Sequence, residues 1–270
     1  MGNVNDFING NLKCSHHITR HPNPSDFKMH AHDVCELYYF INGEADYFVE
    51  GNVYSLQKND ILIMRQGETH CLQIKPVDTY ERLTVHFSPA VISESFSEEF
   101  LRPFYKRPLG RLNLYRAKDF ESDFYLACIE KIKKSIDDNK DTAHIIPTLA
   151  ALIAEISDAY EKFGEKEDKE SNKSIAVEMV DYINSHLCEA LSLEKIAEHF
   201  FISTSQANRI FKKSIGSSIW EYVIIKRLMA AKEMIEKGEG ARIASEKCGF
   251  SDYSSFYRSY CKKFGTSPKK

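Results

Sequence analysis

One short device occurs twice in the C-terminal hundred residues, and that repetition restricts the fold more than any other feature. In LSLEKIAEHF, residues 191–200, Ser192 is placed as an N-cap, and Ile196, Ala197 and Phe200 recur at helical spacing. Lys195 stands where a capping box would need Glu or Gln, but Glu194 still favours the positive end of the helix dipole. Phe201 and Ile202 form a short turn, and Ser203 caps the next helix, which contains SQANRIFKK, 205–213. The second copy is ARIASEKCGFSDYSSFYRSYCKKFG, 241–265. Ile243, Ala244 and Cys248 are expected inside its first helix, Gly249 supplies a left-handed turn, and Ser251 is expected to cap the helix that buries Phe256 and Tyr260. Ser203 and Ser251 lie 48 residues apart.

Two short helices joined by a tight turn constitute a helix-turn-helix pattern. Any αα-hairpin with a serine cap can imitate one copy. Here two copies flank SIWEYVIIKRLMAAKEMIEKG, which reads as one helix of roughly 30 Å with Trp220, Val223, Arg227, Ala231 and Met234 at spacings of 3 or 4. Such a rod suits two reading heads about one turn of B-DNA apart, roughly 34 Å. Residues 174–270 carry 15 Lys plus Arg against 11 Asp plus Glu, in a chain whose formal net charge is −3. The excess is small, but it lies in the half that carries the repeat.

If these helices read duplex DNA, the side-chain chemistry assigns roles. Gln206 matches adenine, and Arg209 matches guanine or phosphate. Thr204 and Ser205 lie at a helix N-terminus and suit phosphate. In the second head Tyr253 and Ser255 are placed for bases and Arg258 for a base or phosphate, with Ser251 and Asp252 at the helix start. Lys212, Lys213, Lys262 and Lys263 would add salt-sensitive, sequence-independent attraction. The alternative is an ordinary solvated polar face.

The N-terminal part has a different period. CELYYFI, ADYFV, VYSL, DILIM, HCLQI and LTVHF are short, aromatic and β-branched, with turn-like NGEA, EGN, QKN and RQGET between them. They predict an all-β barrel or sandwich over 27–87, with 1–26 an arm or an irregular first strand. Phe120, Phe124, Cys128, Ile132 and Ile136, then Ile145, Leu149, Leu152, Ile156 and Tyr160, predict two amphipathic helices over 118–163. Their apolar faces must pack within the chain or against a second subunit. EKFGEKEDKESNKS, 161–174, is charged and lacks an apolar period, as a linker does. The expected organisation is therefore a β domain with added helices over 1–165, a linker over 166–174, and an all-α domain over 175–270.

HAHDVCE, 30–36, would in a strand turn His30, His32 and Glu36 to one face, where His70 from another strand can meet them. That set suits a first-row metal ion. The same histidines suit a ligand's hydroxyl groups or a purely structural role. Tyr47, Arg65 and His86 are further candidate liners of a pocket for a sugar or another neutral polar molecule.

The C-terminal hundred residues resemble the DNA-binding domain of the AraC family of transcription regulators, through IAEHFFISTSQANRIFKK, RLMAAKEMI and IASEKCGFSDYSSFYRSYCKKFGTSP. The resemblance implies two helix-turn-helix heads in successive major grooves, with reading helices at Ser203 to Lys213 and Ser251 to Lys262. HAHDVCE through Gly43, and DILIMRQGETH, resemble the two cupin motifs, though Arg65 and Gln66 stand where proline is usual. The family often carries a cupin-like barrel that senses a small molecule, commonly a sugar. Three departures stand out. Ala207 replaces the usual leucine, Gly240 replaces a branched apolar residue and is expected to cost a core contact, and relatives usually continue beyond Lys270.

The repeat and the resemblance together predict a non-enzymatic, DNA-binding regulator, an activator by family habit. It would be homodimeric, controlled by a small effector, in contact with RNA polymerase if it activates, and without a resident cofactor. A cupin-type metal-dependent enzyme with an accessory helical domain is the alternative. The seven scattered cysteines contain no CxxC and read as reduced thiols. MGNVNDFINGNLK has no apolar core for a secretory signal, and no run nears the roughly 20 apolar residues of a membrane span. A cytoplasmic protein is expected.

Overall fold

The computed structural model describes residues 3–138, 140–164 and 174–269. The expected linker therefore lies, apart from Ser174, outside the described residues. Strands β1 Asn3–Asn9, β2 Leu12–Arg20, β3 Cys35–Asn42, β4 Ala45–Val49, β5 Asn52–Ser55, β6 Ile61–Met64, β7 His70–Ile74 and β8 Thr79–Phe87 come first. Two single-turn helices follow, α1 Ala90–Ser93 and α2 Arg102–Tyr105, then the short strand β9 Leu114–Tyr115. The remainder is helical: α3 Phe124–Asp137, α4 Thr142–Gly164, α5 Ile175–Ser185, α6 Leu193–His199, α7 Thr204–Ile215, α8 Ile219–Glu236, α9 Ala241–Lys247 and α10 Tyr253–Phe264.

The strands form two antiparallel sheets, ordered β1-β2-β8-β3-β6-β9 and β5-β4-β7, as a cupin-like architecture requires. β3 shows why. Its residues are buried on both faces: Leu37 and Tyr39 join the core under α3 and α4, while Tyr38 and Phe40 join the core between the sheets. The alternation in β8 is as clear. Leu83, Val85 and Phe87 face the helices, and Tyr80, Arg82, Thr84 and His86 face the interior between the sheets.

The N-terminus is not an irregular arm. β1 and β2 are a hairpin, Asn3 opposite Ile18 through Asn9 opposite Leu12, and β2 pairs with β8 along its whole length. Gly10 and Asn11 make the two-residue turn, with Gly10 at φ 52°. Phe7 and Cys14, a cross-strand pair, anchor it in the core.

The helix expected from residue 118 begins only at Phe124, because Phe120 instead stacks on Tyr125 from outside, ring centroids 4.0 Å apart. Cys128, Ile132, Ile136, Ile145, Leu149, Leu152 and Ile156 are buried in the core that also takes the outer face of the larger sheet. Their apolar faces are thus largely satisfied within the chain, but Phe124, expected on the same face, is 50% exposed at the start of α3.

In the helical half α8 serves two cores. Tyr222 and Val223 pack with α5, α6 and α7, whereas Leu228, Ala231 and Ile235 pack with α9 and α10. Ser192 and Ser203 cap α6 and α7 as expected. Ser251 does not cap α10. Asp252 does, accepting from the backbone N–H of Ser254 at 3.3 Å and of Ser255 at 2.7 Å. Its carboxylate spans two amides where a serine hydroxyl reaches one. Ile243 is 48% exposed, so the inward positions of α9 fall to Ala244 and Ser245. Gly249 takes the expected left-handed conformation, φ 83°. Gly240 is the N-cap of α9, and a Cβ there would meet nothing within 4 Å, so no contact is lost at its first carbon.

Candidate nucleic-acid interface and effector site

The polar residues of α7 lie where a 3.6-residue period puts them. Ala207, Phe211 and Ile215 are buried, and Ser205, Gln206, Arg209, Lys212 and Lys213 are exposed, with Thr204 half-buried at the helix start. Asn208 ties the helix to its successor, its Oδ1 accepting from Ile219 N–H at 3.2 Å. On α10 Phe256 and Tyr260 are buried while Ser255, Arg258 and Lys262 are exposed, as are Ser251 and Asp252 before it. Tyr253 is half-buried, with the Arg242 guanidinium 5.1 Å from its ring centre. Asp252 is committed to capping, which accounts for a carboxylate at the head of α10.

The two heads are joined by an arginine. Arg227 of α8 donates to the carbonyls of Leu187 at 2.9 Å, Glu189 at 2.8 Å and Gly249 at 2.6 Å. The first two precede α6 and the third lies in the turn of the second motif, so one guanidinium holds both units to the rod. Arg227 was legible as an inward position; its three carbonyl partners were not.

The β domain holds a cavity of about 180 Å³ between its sheets, lined among others by Phe27, Tyr38, Tyr47, Tyr80, Arg82 and His86. Tyr47 is buried and faces inward, its ring stacked on His70 at 5.9 Å and 19°. The hydroxyls of Tyr38 and Tyr80 are 2.7 Å apart. Arg65 does not line this cavity. It donates to the carbonyl of Arg107 at 3.2 Å, beside the buried Glu68–Arg107 ion pair at 2.7 Å. The cations that do line it are Lys13 and Arg82, the latter 4.8 Å over the Tyr80 ring, with Nη1 buried and lacking a hydrogen-bond partner. Period-two alternation in TYERLTVHF places Arg82 on the same face as His86, so this residue was readable from the sequence.

At one end of the cavity His30, His32, Glu36, His70 and His86 converge, though strand alternation is not what assembles them. β3 starts only at Cys35. His30 instead forms an isolated antiparallel bridge with His70, and its N–H and carbonyl bond to His70 at 3.0 and 2.9 Å. Glu36 Oε2 lies 3.0 Å from His70 Nε2, 3.4 Å from His32 Nε2 and 3.6 Å from His86 Nε2. Burial pushes His30 down to about 3, with His70 and His32 adding to the effect, and burial also lowers His32. Burial would raise the Glu36 carboxyl, but the surrounding imidazoles hold it well below its ordinary value. Burial likewise opposes charge on His70, and Glu36 outweighs it, raising that imidazole's pKa. The cluster is therefore an anion wrapped in imidazoles, able to hold a cation or donate to oxygen ligands.

The segments that carry this cluster also touch the helical half. Ala31 carbonyl accepts from Lys263 of α10 at 2.7 Å, and Asp33 pairs with Lys232 of α8. Gly67 carbonyl accepts from Lys226 at 2.8 Å, while Gly67 N–H donates to His32 carbonyl at 2.8 Å. Met29 Sδ accepts from the Ser217 hydroxyl at 3.0 Å. Lys263 is thus no free surface lysine, and burial lowers its pKa. Among the described residues no helix is long and apolar enough to cross a membrane.

Residues 15–123 match the family model of the AraC-like ligand binding domain, and residues 196–270 match that of a helix-turn-helix domain. The probable transcriptional regulator LumQ of Photobacterium leiognathi is 30% identical over 139 residues, 51% of this chain and 54% of that protein. The uncharacterized HTH-type transcriptional regulator YobQ of Bacillus subtilis (strain 168) is 36% identical over 102 residues, 37% of this chain and 42% of that protein. The chain thus spans about half the length of these two relatives. The HTH-type transcriptional activator RhaS of Escherichia fergusonii is 20% identical over 251 residues, 90% of this chain and 86% of that protein. With its sensory barrel and its paired reading heads matched in the same order, the chain belongs to the AraC family of transcription regulators.

Proposed function

We propose that this protein is a sequence-specific regulator of transcription that binds double-stranded DNA through α7 and α10, under the control of a small molecule held in the β domain. The observation that carries the reading is the pairing of two outward polar faces on one body. Gln206 and Arg209 on α7, and Ser255 and Arg258 on α10, are exposed from cores that share α8, and Arg227 joins both motifs to it. Thr204 and Ser205 serve phosphate at the head of α7, and Lys212, Lys213 and Lys262 add salt-sensitive attraction.

The effector is small. A cavity of about 180 Å³ falls below the roughly 300–1,000 Å³ of pockets for drug-sized ligands. Tyrosine rings and hydroxyls with the cations Arg82 and Lys13 suit a monosaccharide or a similar polyhydroxy compound. The effector acts by differential affinity for two arrangements of the halves. The direct contacts of 29–33 and 66–70 with α8 and α10 give that difference a shorter path than α3 and α4 would. The working organisation is a sensory and dimerising part over 1–165, a linker over 166–174 and a DNA-binding part over 175–270, in a cytoplasmic homodimer that engages RNA polymerase when it activates.

Selection of genomic duplex fragments on the purified chain, at about 0.15 M salt and sequenced after washing, tests the reading. Enrichment of two half-sites roughly one helical turn apart is expected. Weak, salt-sensitive binding without any enriched motif, with and without a panel of sugars, would remove it.

A further inference from the structure

One wall of the β-domain cavity is a polar ladder rich in cations. β2 and β8 are antiparallel neighbours, and their inward positions pair Lys13 with His86, Ser15 with Thr84 and His17 with Arg82. All six side chains line the cavity, because alternate residues of a strand share a face. Tyr47 and Leu72 of the smaller sheet line it too.

The ladder holds polar atoms that the fold leaves unpaired. Ser15 is 1% exposed, and its Oγ has no hydrogen-bond partner among the described residues, nor do the buried Arg82 Nη1 and His86 Nδ1. The Arg82 guanidinium lies 4.8 Å over the Tyr80 ring and 5.7 Å over the Phe27 ring, which hold it in place but supply no anion. Glu81, its neighbour in the chain, points the other way, to His16 at 2.8 Å and Lys133 at 3.8 Å. Among the described residues that line the cavity Glu36 is the one carboxylate, and it is enclosed by His32, His70 and His86. Buried donors without partners cost stability, and a ligand that satisfies them gains what the fold forgoes.

We propose that the effector is a sugar acid, whose carboxylate is bound by Arg82, Ser15 and His17 and whose ring lies against Tyr47. This rests on the reading that the β domain binds a small polyhydroxy compound, and adds the charge and the subsite. A guanidinium fork matches a carboxylate and is strongest where water is excluded. The charge count favours a carboxylate over a phosphate dianion. Arg82 is the permanent cation set inside, whereas Lys13 is exposed at the edge. His17 stays a neutral donor: burial and then Arg82 push it down to about 4, Lys13 and His16 add to the effect, and Asp6 opposes it.

The test is isothermal titration of the full chain with D-glucuronate and D-galacturonate, each against its parent sugar, D-glucose or D-galactose. At least one acid should bind about tenfold or more tightly than its parent, and Arg82→Gln should erase that difference. Lys58→Gln, at an exposed lysine outside the cavity lining, should leave binding unchanged. Ser15→Ala separates binding from folding. Removing an unpaired buried hydroxyl should leave the unliganded melting temperature equal or higher, yet weaken the acid about threefold or more. Parent sugars bound as tightly as their acids, or undiminished acid binding by folded Arg82→Gln and Ser15→Ala, overturns the inference and leaves the small-molecule reading standing. Tighter binding of D-glucose 6-phosphate than of either acid does the same. Binding of no member of the panel overturns the polyhydroxy effector together with its charge.

Discussion

Glu50 of the β domain and Lys226 of α8 form an ion pair across the two halves of the chain, Oε1 to Nζ 3.0 Å, with the carboxylate fully buried. Glu50 also accepts from Thr69 N–H at 2.6 Å and from the Tyr222 hydroxyl. Burying a carboxylate is favourable only when its donors stay in place, so the pair reports on the docked arrangement. Lys226→Met is expected to cost about 3 kcal/mol in urea unfolding, since it leaves the anion short of its cation. Combined with Glu50→Gln, the two changes should couple by at least about 1 kcal/mol in a double-mutant cycle. Strict additivity would mean that the halves do not dock this way in solution.

Arg227 gives a second prediction, about the geometry of DNA reading rather than docking. Arg227→Lys keeps the charge but cannot span three carbonyls, because an ammonium lacks the planar fork of donors. Stability should fall by about 2 to 3 kcal/mol. DNA affinity should fall more for a duplex with two half-sites than for one with a single half-site, which gel shifts on matched duplexes would show. Gly249→Ala should mimic it: the glycine sits at φ 83°, and a Cβ would lie 2.7 Å from the Arg227 guanidinium. Equal losses on both duplexes would show that Arg227 does not set the register of the heads.

These two residues also show where sequence reasoning stops. Helix period revealed α7 and α10, because one face of each is buried within its own motif, and α8, whose buried residues serve both cores. Short aromatic and β-branched runs between turn signals revealed β3 to β8, several of which are buried on both faces, and alternation within β8 sets Arg82 and His86 on one face. The hairpin of β1 and β2 was under-read although the Asn9-Gly10-Asn11 turn was visible, since His16 and His17 interrupt the apolar alternation. The union of Glu50 with Lys226, or of Asp33 with Lys232, left no trace. Each partner is an ordinary charge on its own element, and only the docking of two cores brings them together. The histidine cluster was legible as a composition and not as a geometry, because an isolated bridge between His30 and His70, rather than a strand, assembles it.

Capping residues supply a third prediction, with a pH dependence. Ser203→Ala should cost about 1 kcal/mol through the loss of the α7 cap. Ser251→Ala should be nearly neutral, whereas Asp252→Ala should destabilise α10. The Ser255 hydroxyl, together with the amides of Ser255 and Ser254, holds the Asp252 carboxyl below its ordinary value. A carboxyl depressed in the folded state contributes fully above its unfolded pKa of about 3.9 and loses that contribution as pH falls through the folded value. The melting-temperature gap between wild type and Asp252→Ala should therefore be present at pH 6 and shrink towards pH 3. A gap that stays constant with pH would assign the effect to something other than the carboxylate.

The reading helices make the fourth prediction, and it separates two kinds of contact. Arg209 and Gln206 are exposed on α7 beside Lys212 and Lys213, so none of the four is needed for folding. Loss of a side chain that pairs with a base edge should cost about 1 to 3 kcal/mol on the preferred duplex and little on an unrelated one. Loss of a lysine that meets only phosphate should weaken both duplexes alike and reduce the salt slope by about 1. Arg209→Ala and Gln206→Ala are expected in the first class, Lys212→Ala and Lys213→Ala in the second. Arg258→Ala makes the same comparison in the second head. If Arg209→Ala weakened every duplex equally, with a shallower salt slope, the arginine would be a phosphate contact, and base recognition by the first head would rest on Gln206.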